Sequence, residues 1–201
     1  MTTPRDLMTI TLDVPSDRQV ERGDLALALA GAELIDLLAA GAVSLDGDRI
    51  APGDRPAPAD ALLEAAAAAV VAAPPYEPVA DWLWRRGDGL AAAYRTAFES
   101  EGLLARRRSR GLGLRGGRTE LSDTPGRRRA AERLATGEPV LAAFAAALGV
   151  GAQEGTDAPE VTDDTVAAVL AAVHDALLEL EGVRRRRAVE DAAFDNIWRA
   201  Q

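Results

Sequence analysis

The sequence predicts a mainly α-helical protein that carries small β-hairpins, one of them projecting and basic. Hydrophobic residues make up 48% of the 201 positions and aromatic residues only 4%. Alanine therefore supplies much of the apolar surface, and small side chains allow helices to pack closely. Apolar residues also recur at helical spacing in several segments. The length suits one domain with a real core, so we expect a single helical domain over residues 1–201.

The first forty residues predict an extended segment and then a helix. Residues 7–14 read Leu-Met-Thr-Ile-Thr-Leu-Asp-Val, which is typical of a strand or an extended entry segment. Residues 23–40 are apolar nearly all round and predict a helix that ends at Gly41. The polar residues of this helix, Glu33 and Asp36, are expected on its solvent-facing side.

The middle of the chain predicts a hairpin and two helices. Residues 43–50 favour a hairpin around the turn pair Asp46-Gly47. One helix is expected from 59 to 73, before two prolines, and another from 78 to 101, weakened near residues 87–89. The aromatic residues of the second helix are predicted to pack in the core: Trp82, Tyr94 and Phe98.

The arginine window, residues 103–133, is the most unusual segment. It holds ten arginines and three acidic residues, a charge of 10 − 3 = +7, whereas the whole chain carries −9 and the remainder therefore −9 − 7 = −16. Such clustering is typical of a surface that meets an anion. We expect two strand arms over about 103–122, a glycine-rich connection between them, and then a helix capped by Thr124 with Pro125 at its first position. The candidate lipid- or anion-binding residues are Arg106, Arg107, Arg108, Arg110, Arg115, Arg118, Arg127, Arg128 and Arg129, and the candidate membrane-contact tip is Leu112 and Leu114.

The last third predicts further helices. The helix after Thr124 breaks at residues 137–139 and resumes, and a later helix is expected to be capped by Thr162. Gly182 should separate that helix from a last amphipathic segment. The basic run 184–187 is expected to be a solvated helix face, and His174 a residue at the edge of the core.

Several kinds of chemistry are excluded or lack support. The chain has no cysteine, which excludes disulfides and thiolate metal sites. Residues 111–116 match G-x-G-x-x-G formally, but no helix is expected directly after them, as a dinucleotide site requires. We expect no catalytic residues, no cofactor and no metal.

The N-terminal residues do not resemble a signal peptide, and the longest uncharged apolar run, 140–152, is too short to span a bilayer. The sequence therefore predicts a cytoplasmic protein whose membrane contact would be peripheral, on the inner face.

Six segments carry a family resemblance that covers most of the chain. They are Asp6-Leu-Met-Thr-Ile-Thr-Leu-Asp13, the run from Ala30 to Leu45, Asp81-Trp-Leu, Phe98-Glu-Ser-Glu-Gly-Leu-Leu104, Thr119-Glu-Leu-Ser and Ala168-Val-Leu-Ala-Ala-Val-His174. In their order and spacing they resemble the Golgi phosphoprotein 3 (GPP34) family, which also occurs widely in actinobacteria. The resemblance implies a mostly helical domain with a projecting hairpin and no catalytic activity.

The same resemblance implies that the ligand is an anionic lipid headgroup, but it does not identify which headgroup this chain binds. Eukaryotic members bind phosphatidylinositol 4-phosphate on Golgi membranes and the tails of glycosyltransferases, and the hairpin is associated with self-association and membrane contact. Ala30 stands where those members have a headgroup-binding arginine, and Asp88 and Ala91 lie near the positions of their arginine pair. Their headgroup residues are therefore not carried over to this chain.

Three functional hypotheses follow. The first is a peripheral membrane protein that binds anionic phospholipid headgroups through the arginine window. The second is nucleic-acid binding, because a helix, a glycine stop and a small hairpin are also used by winged helices. Net negative charge over residues 1–60 opposes it. The third is a purely structural role in which the hairpin is an oligomerisation arm that forms a homo-oligomer; protein clients are a further possible class of partner.

Overall fold

Eight helices and two small antiparallel sheets form the described part of the chain, which in this computed structural model covers residues 2–15, 19–107, 118–151 and 161–199. The helices are α1 (Thr3–Leu12), α2 (Arg22–Ala40), α3 (Ala61–Ala68), α4 (Val79–Gly87), α5 (Leu90–Ser100), α6 (Pro125–Ala135), α7 (Pro139–Ala147) and α8 (Asp164–Arg199). The strands are β1 (Val43–Asp46), β2 (Arg49–Pro52), β3 (Glu77–Pro78), β4 (Leu104–Arg107) and β5 (Arg118–Leu121). The predicted fold class, mainly α with small β-hairpins, is confirmed.

The first element corrects the sequence-based prediction. The extended segment expected over residues 7–14 is wrong, because α1 is a helix from Thr3 to Leu12. Leu7, Met8 and Ile10 are buried against the other helices, and this tertiary burial outweighs a local preference for β-structure. The hydroxyl of Thr9 donates to the carbonyl of Arg5 at 2.8 Å, so a polar group on this buried helix is satisfied within it.

Helix α2 lies at the centre of the core, as its apolar composition predicted. It packs against α1, α3, α4, α5 and α8, and Gly41 ends it in the left-handed conformation with φ of 72°. A Cβ atom at Gly31 would lie 2.4 Å from Cγ2 of Val173, so α2 and α8 approach too closely there for any larger residue. Small residues at this crossing therefore set the distance between the two helices.

The first sheet confirms the predicted hairpin and adds a strand. β1 pairs with β2 around a turn at Gly47, where φ is 62°, and β3 pairs with β2 through Ile50 and Glu77. Helix α3 is shorter than expected, and Asp60 caps it by accepting hydrogen bonds from the backbone N–H groups of Leu62 and Leu63.

The helix expected from 78 to 101 is interrupted near residues 87–89, the glycine-containing stretch where the sequence predicted a weak point. Gly89 has φ of 71° and separates α4 from α5. Trp82, Tyr94 and Phe98 are buried as predicted, and the indole N–H of Trp82 donates to the carbonyl of Ala30 at 3.3 Å.

Helix α8 corrects three predictions about the C-terminal part. It runs without a break from Asp164 to Arg199, so Gly182 does not separate two helices. A glycine inside a helix costs only about 1 kcal/mol, which a long helix tolerates. The cap is Asp163 rather than Thr162, since its carboxylate accepts from the backbone N–H groups of residues 165 and 166. His174 is exposed and does not lie at the edge of the core.

Candidate functional site

The predicted basic hairpin forms from β4 and β5. The strands are antiparallel, and their register pairs Leu104 with Leu121 at the base and Arg107 with Arg118 at the far end. Leu104 is 7% exposed and belongs to the core, so the core anchors the hairpin at its base.

The candidate hairpin residues are only partly within the described residues. Arg106 lies on β4 beside the Arg107–Arg118 pair, one position nearer the base. Outside the described residues lie Arg108, Arg110 and Arg115, the tip residues Leu112 and Leu114, and the whole glycine motif 111–116.

The start of α6 is fixed directly beside the hairpin base. The backbone N–H of Ser122 donates to the carbonyl of Leu103 at 2.9 Å, and its hydroxyl donates to the carbonyl of Gly102 at 3.0 Å. Thr124 then caps α6 as predicted, accepting from the backbone N–H of Arg127 at 3.1 Å. The two arginine-bearing elements are thus rigidly joined by a short connection.

Two arginines of the window hold α6 against α1. Arg127 donates through Nε to Oδ2 of Asp13 at 3.1 Å and through Nη1 to the carbonyl of Leu121 at 3.3 Å. Arg133 forms ion pairs with the buried carboxylate of Asp6 and, at 3.1 Å, with Glu138. These ion pairs join the beginning of α6 to the end of α1, and the end of α6 to the beginning of α1. Arg127 therefore has a structural role in addition to any contact with an anion.

Arg128 and Arg129, by contrast, are exposed. Arg128 lies 2.9 Å from Asp123, in a pair whose side chains are 62% and 73% exposed. Such a pair contributes little to stability and exchanges readily with other ions. Arg129 acts electrostatically on Asp6, whose negative charge it favours. The arginines of α6 thus fall into two groups: Arg127 and Arg133 hold the helix against α1, and Arg128 and Arg129 are exposed.

A half-open cavity of about 210 Å³ lies between α1, α5, the hairpin base and the start of α6. Phe98, Leu103 and Leu121 supply apolar lining, and Arg5 and Arg127 also line it. The guanidinium carbon of Arg5 lies 5.8 Å from the centre of the Phe98 ring, within cation–π distance. Glu101 lines it too, so the cavity combines an apolar lining with the ion-paired Arg5 and Glu101 and with Arg127.

Sequence reasoning missed Arg5, which is central to this region. Its guanidinium donates to both carboxylate oxygens of Glu101 at 2.8 Å and also pairs with Asp60. The partners lie 96 and 55 positions away along the chain. A single arginine in a segment of this kind carries no local signal of such contacts.

The prediction that Glu33 and Asp36 face solvent is wrong. Glu33 is fully buried and accepts from Arg86 Nε at 2.7 Å, Arg86 Nη2 at 2.9 Å and the hydroxyl of Tyr94 at 3.0 Å. Asp36 accepts from the backbone N–H of Thr3 at 2.8 Å and so caps α1 from a neighbouring helix. Both carboxylates therefore join elements of the fold: Glu33 links α2 to α4 and α5, and Asp36 links α2 to α1.

Burial also dominates the protonation of the acidic groups around α1 and α2. Burial raises the pKa of all three carboxyl groups, and a hydrogen-bond donor opposes the shift in each case. Arg86 does so for Glu33, Thr3 for Asp36, and Arg133 for Asp6. One oxygen of Asp6, Oδ1, is buried without a hydrogen-bond partner, whereas Oδ2 is paired with Arg133.

Two of the four arginines in the second basic run, residues 184–187, form ion pairs with nearby carboxylates. Arg184 contacts both carboxylate oxygens of Asp24 at 2.8 and 2.9 Å and so ties α8 to the start of α2. Arg185 pairs with Glu181, one turn earlier on α8. Arg185, Arg186 and Arg187 are exposed, as predicted for a solvated helix face, whereas Arg184 is half-buried and serves the packing of α8 against α2.

Within the described ranges, no three or more His, Asp or Glu side chains are grouped to hold a metal ion. None of the helices there has both the length and the apolarity that a membrane crossing needs.

The sequence model of the family described as Golgi phosphoprotein 3 (GPP34) matches residues 4–195. The match runs from the first turn of α1 into the last turns of α8 and so includes the hairpin and the cavity. No curated protein matches the chain significantly.

Proposed function

Because the chain belongs to the Golgi phosphoprotein 3 (GPP34) family, we propose that it is a non-enzymatic peripheral membrane protein that binds anionic, phosphoinositide-like lipid headgroups. The binding surface consists of the hairpin strands β4 and β5 and the outward-facing first turn of α6. The protein acts from the cytoplasm on the inner face of the membrane.

The register of the hairpin carries this proposal. It pairs Arg107 directly with Arg118, and Arg106 precedes Arg107 on the same strand. Like charges at opposite positions of an antiparallel pair are destabilising unless a counter-ion lies between them. An anionic partner removes that cost, and a headgroup phosphate suits the forked donors of arginine.

The surroundings of the hairpin support the same ligand. Arg128 and Arg129 are exposed on the helix that follows β5. Near an anionic leaflet, each well-placed arginine contributes about 1 kcal/mol. Salt screens this attraction, which at 0.1 M ionic strength extends only about 10 Å from the membrane surface. Binding should therefore be cumulative over several arginines and should fall as salt is added.

The charge distribution favours a membrane over a nucleic acid. Residues 1–60, the part that resembles a winged helix, hold five arginines and eleven acidic residues, a charge of 5 − 11 = −6, which opposes contact with the phosphates of a duplex. Helix α2, which precedes the first hairpin, has most of its residues buried in the core and offers little exposed face to a groove.

Vesicle flotation tests the proposal. Neutral phosphatidylcholine vesicles are compared with vesicles that also contain phosphatidylglycerol or a phosphoinositide at equal total charge. The variant Arg106→Ser/Arg107→Ser/Arg118→Ser should lose most of its recovery with both anionic compositions.

The matched control removes the same charge from an exposed stretch of α8, as Arg185→Ser/Arg186→Ser/Arg187→Ser. It should float like the parent protein. Equal recovery on neutral and anionic vesicles would contradict the proposal. Equal loss in the two triple variants would show that net charge alone governs recovery.

A second candidate function is self-association through the hairpin. Within the described residues, β4 and β5 form a two-stranded sheet, so each has a free edge that could pair with another chain. Light scattering at several protein concentrations, with and without anionic vesicles, would detect it.

A further inference from the structure

We propose that the cavity beside the hairpin base receives the first part of an acyl chain whose anionic head lies at the cavity mouth. The inference rests on the proposed function and deepens it. The protein thus recognises an anionic lipid by part of the lipid's acyl chain as well as by its charge.

The lining of the cavity argues for an apolar occupant. Phe98 is 1% exposed, and Leu103 and Leu121 are half-buried beside it. An apolar cavity of roughly 150 Å³ binds benzene in another protein. A space of about 210 Å³ therefore suits several methylene groups.

The size of the cavity argues for part of a lipid. Sites that enclose a whole small ligand measure about 300–1,000 Å³. This cavity is smaller and half-open, so it can hold the methylene groups next to the head while the rest of a long chain leaves through the open side.

The charges beside the cavity argue for an anionic amphiphile. Arg127 lines it, and its partner Asp13 has a side chain 41% exposed, so an incoming anion can compete for the guanidinium. Arg5 and Glu101 also line it but neutralise each other, and the Arg5 side chain is only 15% exposed in its pairs with Asp60 and Glu101. Arg127 is therefore the cation that an anionic head would contact. A neutral alkyl group would gain the apolar contacts without the contact to Arg127.

The location of the cavity connects it to the proposed lipid surface. Leu121, which lines it, is the last residue of β5, and the same strand begins at Arg118. A headgroup held near the strands would thus lie within a few residues of the cavity.

A series of monomeric n-alkyl phosphates tests the inference by titration calorimetry. Methyl, butyl, hexyl and octyl phosphate share one headgroup and differ only in chain length, so the series separates a lipid-like ligand from free phosphate. Affinity should rise about fourfold for each methylene that enters the cavity and then level off. Octanol, which lacks the phosphate, should bind at least tenfold more weakly than octyl phosphate.

A cavity-filling variant locates the site. Leu121→Phe should weaken octyl phosphate at least tenfold and leave methyl phosphate unchanged, and Leu103→Phe should do the same if the first variant does not fold. The matched control is Leu178→Phe on α8, where the leucine is 54% exposed and lies outside the cavity. It should bind like the parent protein.

The inference and the proposed function fail in distinguishable ways. An affinity independent of chain length, or octyl phosphate binding unaffected by both filled variants, would overturn the cavity proposal even if anionic vesicles still bind. Octanol binding as tightly as octyl phosphate would overturn its anionic part. Loss of vesicle binding altogether would remove the proposed function itself.

Discussion

Glu33 and Arg86 form a two-point ion pair inside the protein. Nε and Nη2 of Arg86 lie 2.7 and 2.9 Å from the two carboxylate oxygens, and the glutamate is fully buried. The pair joins α2 to α4, and the hydroxyl of Tyr94 adds α5 to the same group. Three core helices are therefore linked through one carboxylate.

Removing the charge of Glu33 should be costly. In Glu33→Gln the guanidinium of Arg86 remains but loses its counter-charge, and breaking a buried ion pair typically costs about 3–5 kcal/mol. Urea unfolding followed by circular dichroism measures the change in unfolding free energy. The control Glu99→Gln removes the partner of Arg95 in an exposed pair and should cost less than about 1 kcal/mol. Similar costs for the two variants would contradict a special role for the buried pair.

Two glycine-to-alanine substitutions should act in opposite directions. Gly31→Ala forces a methyl group against Val173 at a helix crossing, and overpacking of this kind costs about 1–3 kcal/mol. Gly182→Ala adds a methyl group inside α8 with no atom within 4 Å, and should stabilise by about 0.5–1 kcal/mol. Thermal unfolding should show a lower Tm for the first variant and a higher Tm for the second. A stabilising Gly31→Ala would mean that α2 and α8 can separate at no cost.

The arginines of α6 should differ in their effect on stability. Arg133→Gln leaves the carboxylate of Asp6, which is 1% exposed, without its cation and should destabilise by roughly 3 kcal/mol. Arg128→Gln removes only an exposed pair and should change the unfolding free energy by less than about 1 kcal/mol. Both variants lose one positive charge from the same helix, so each is the control for the other in guanidinium chloride unfolding. Equal effects would mean that the clamp between α6 and α1 does not contribute to stability.

The buried carboxylates should shape the dependence of stability on pH. Burial raises the pKa of Asp36 in the folded protein above the value of about 3.9 expected in the unfolded chain. Protonation therefore favours the folded state, so this contribution is complete below the unfolded pKa and is lost as pH rises through the folded pKa. Asp36→Asn removes the titration, and its stability relative to the parent should improve as pH rises from below the unfolded pKa of about 3.9 through the raised folded pKa of Asp36. Urea unfolding at several pH values checks this, and a difference that is constant or falls with pH would contradict it.

Local signals predicted much of the fold. The Asp-Gly turn of the first hairpin, the glycine that ends α2, and the Thr-Pro start of α6 each depend on neighbouring residues alone, and each is confirmed. The ordered motifs also identified the family, which the match over residues 4–195 shows. Helix α1 was predicted as extended because its burial depends on partners distant in the chain.

The sequence by itself determined how many arginines the window holds, how they are spaced, and that they surround a hairpin and a helix start. Only the tertiary structure decided that Arg127 and Arg133 clamp α6 to α1 while Arg128 faces outward. The partners Asp13 and Asp6 lie 114 and 127 residues away, so no local pattern identifies them. Whether a charge is buried and paired depends on which helices pack together, and that is settled by the whole core at once.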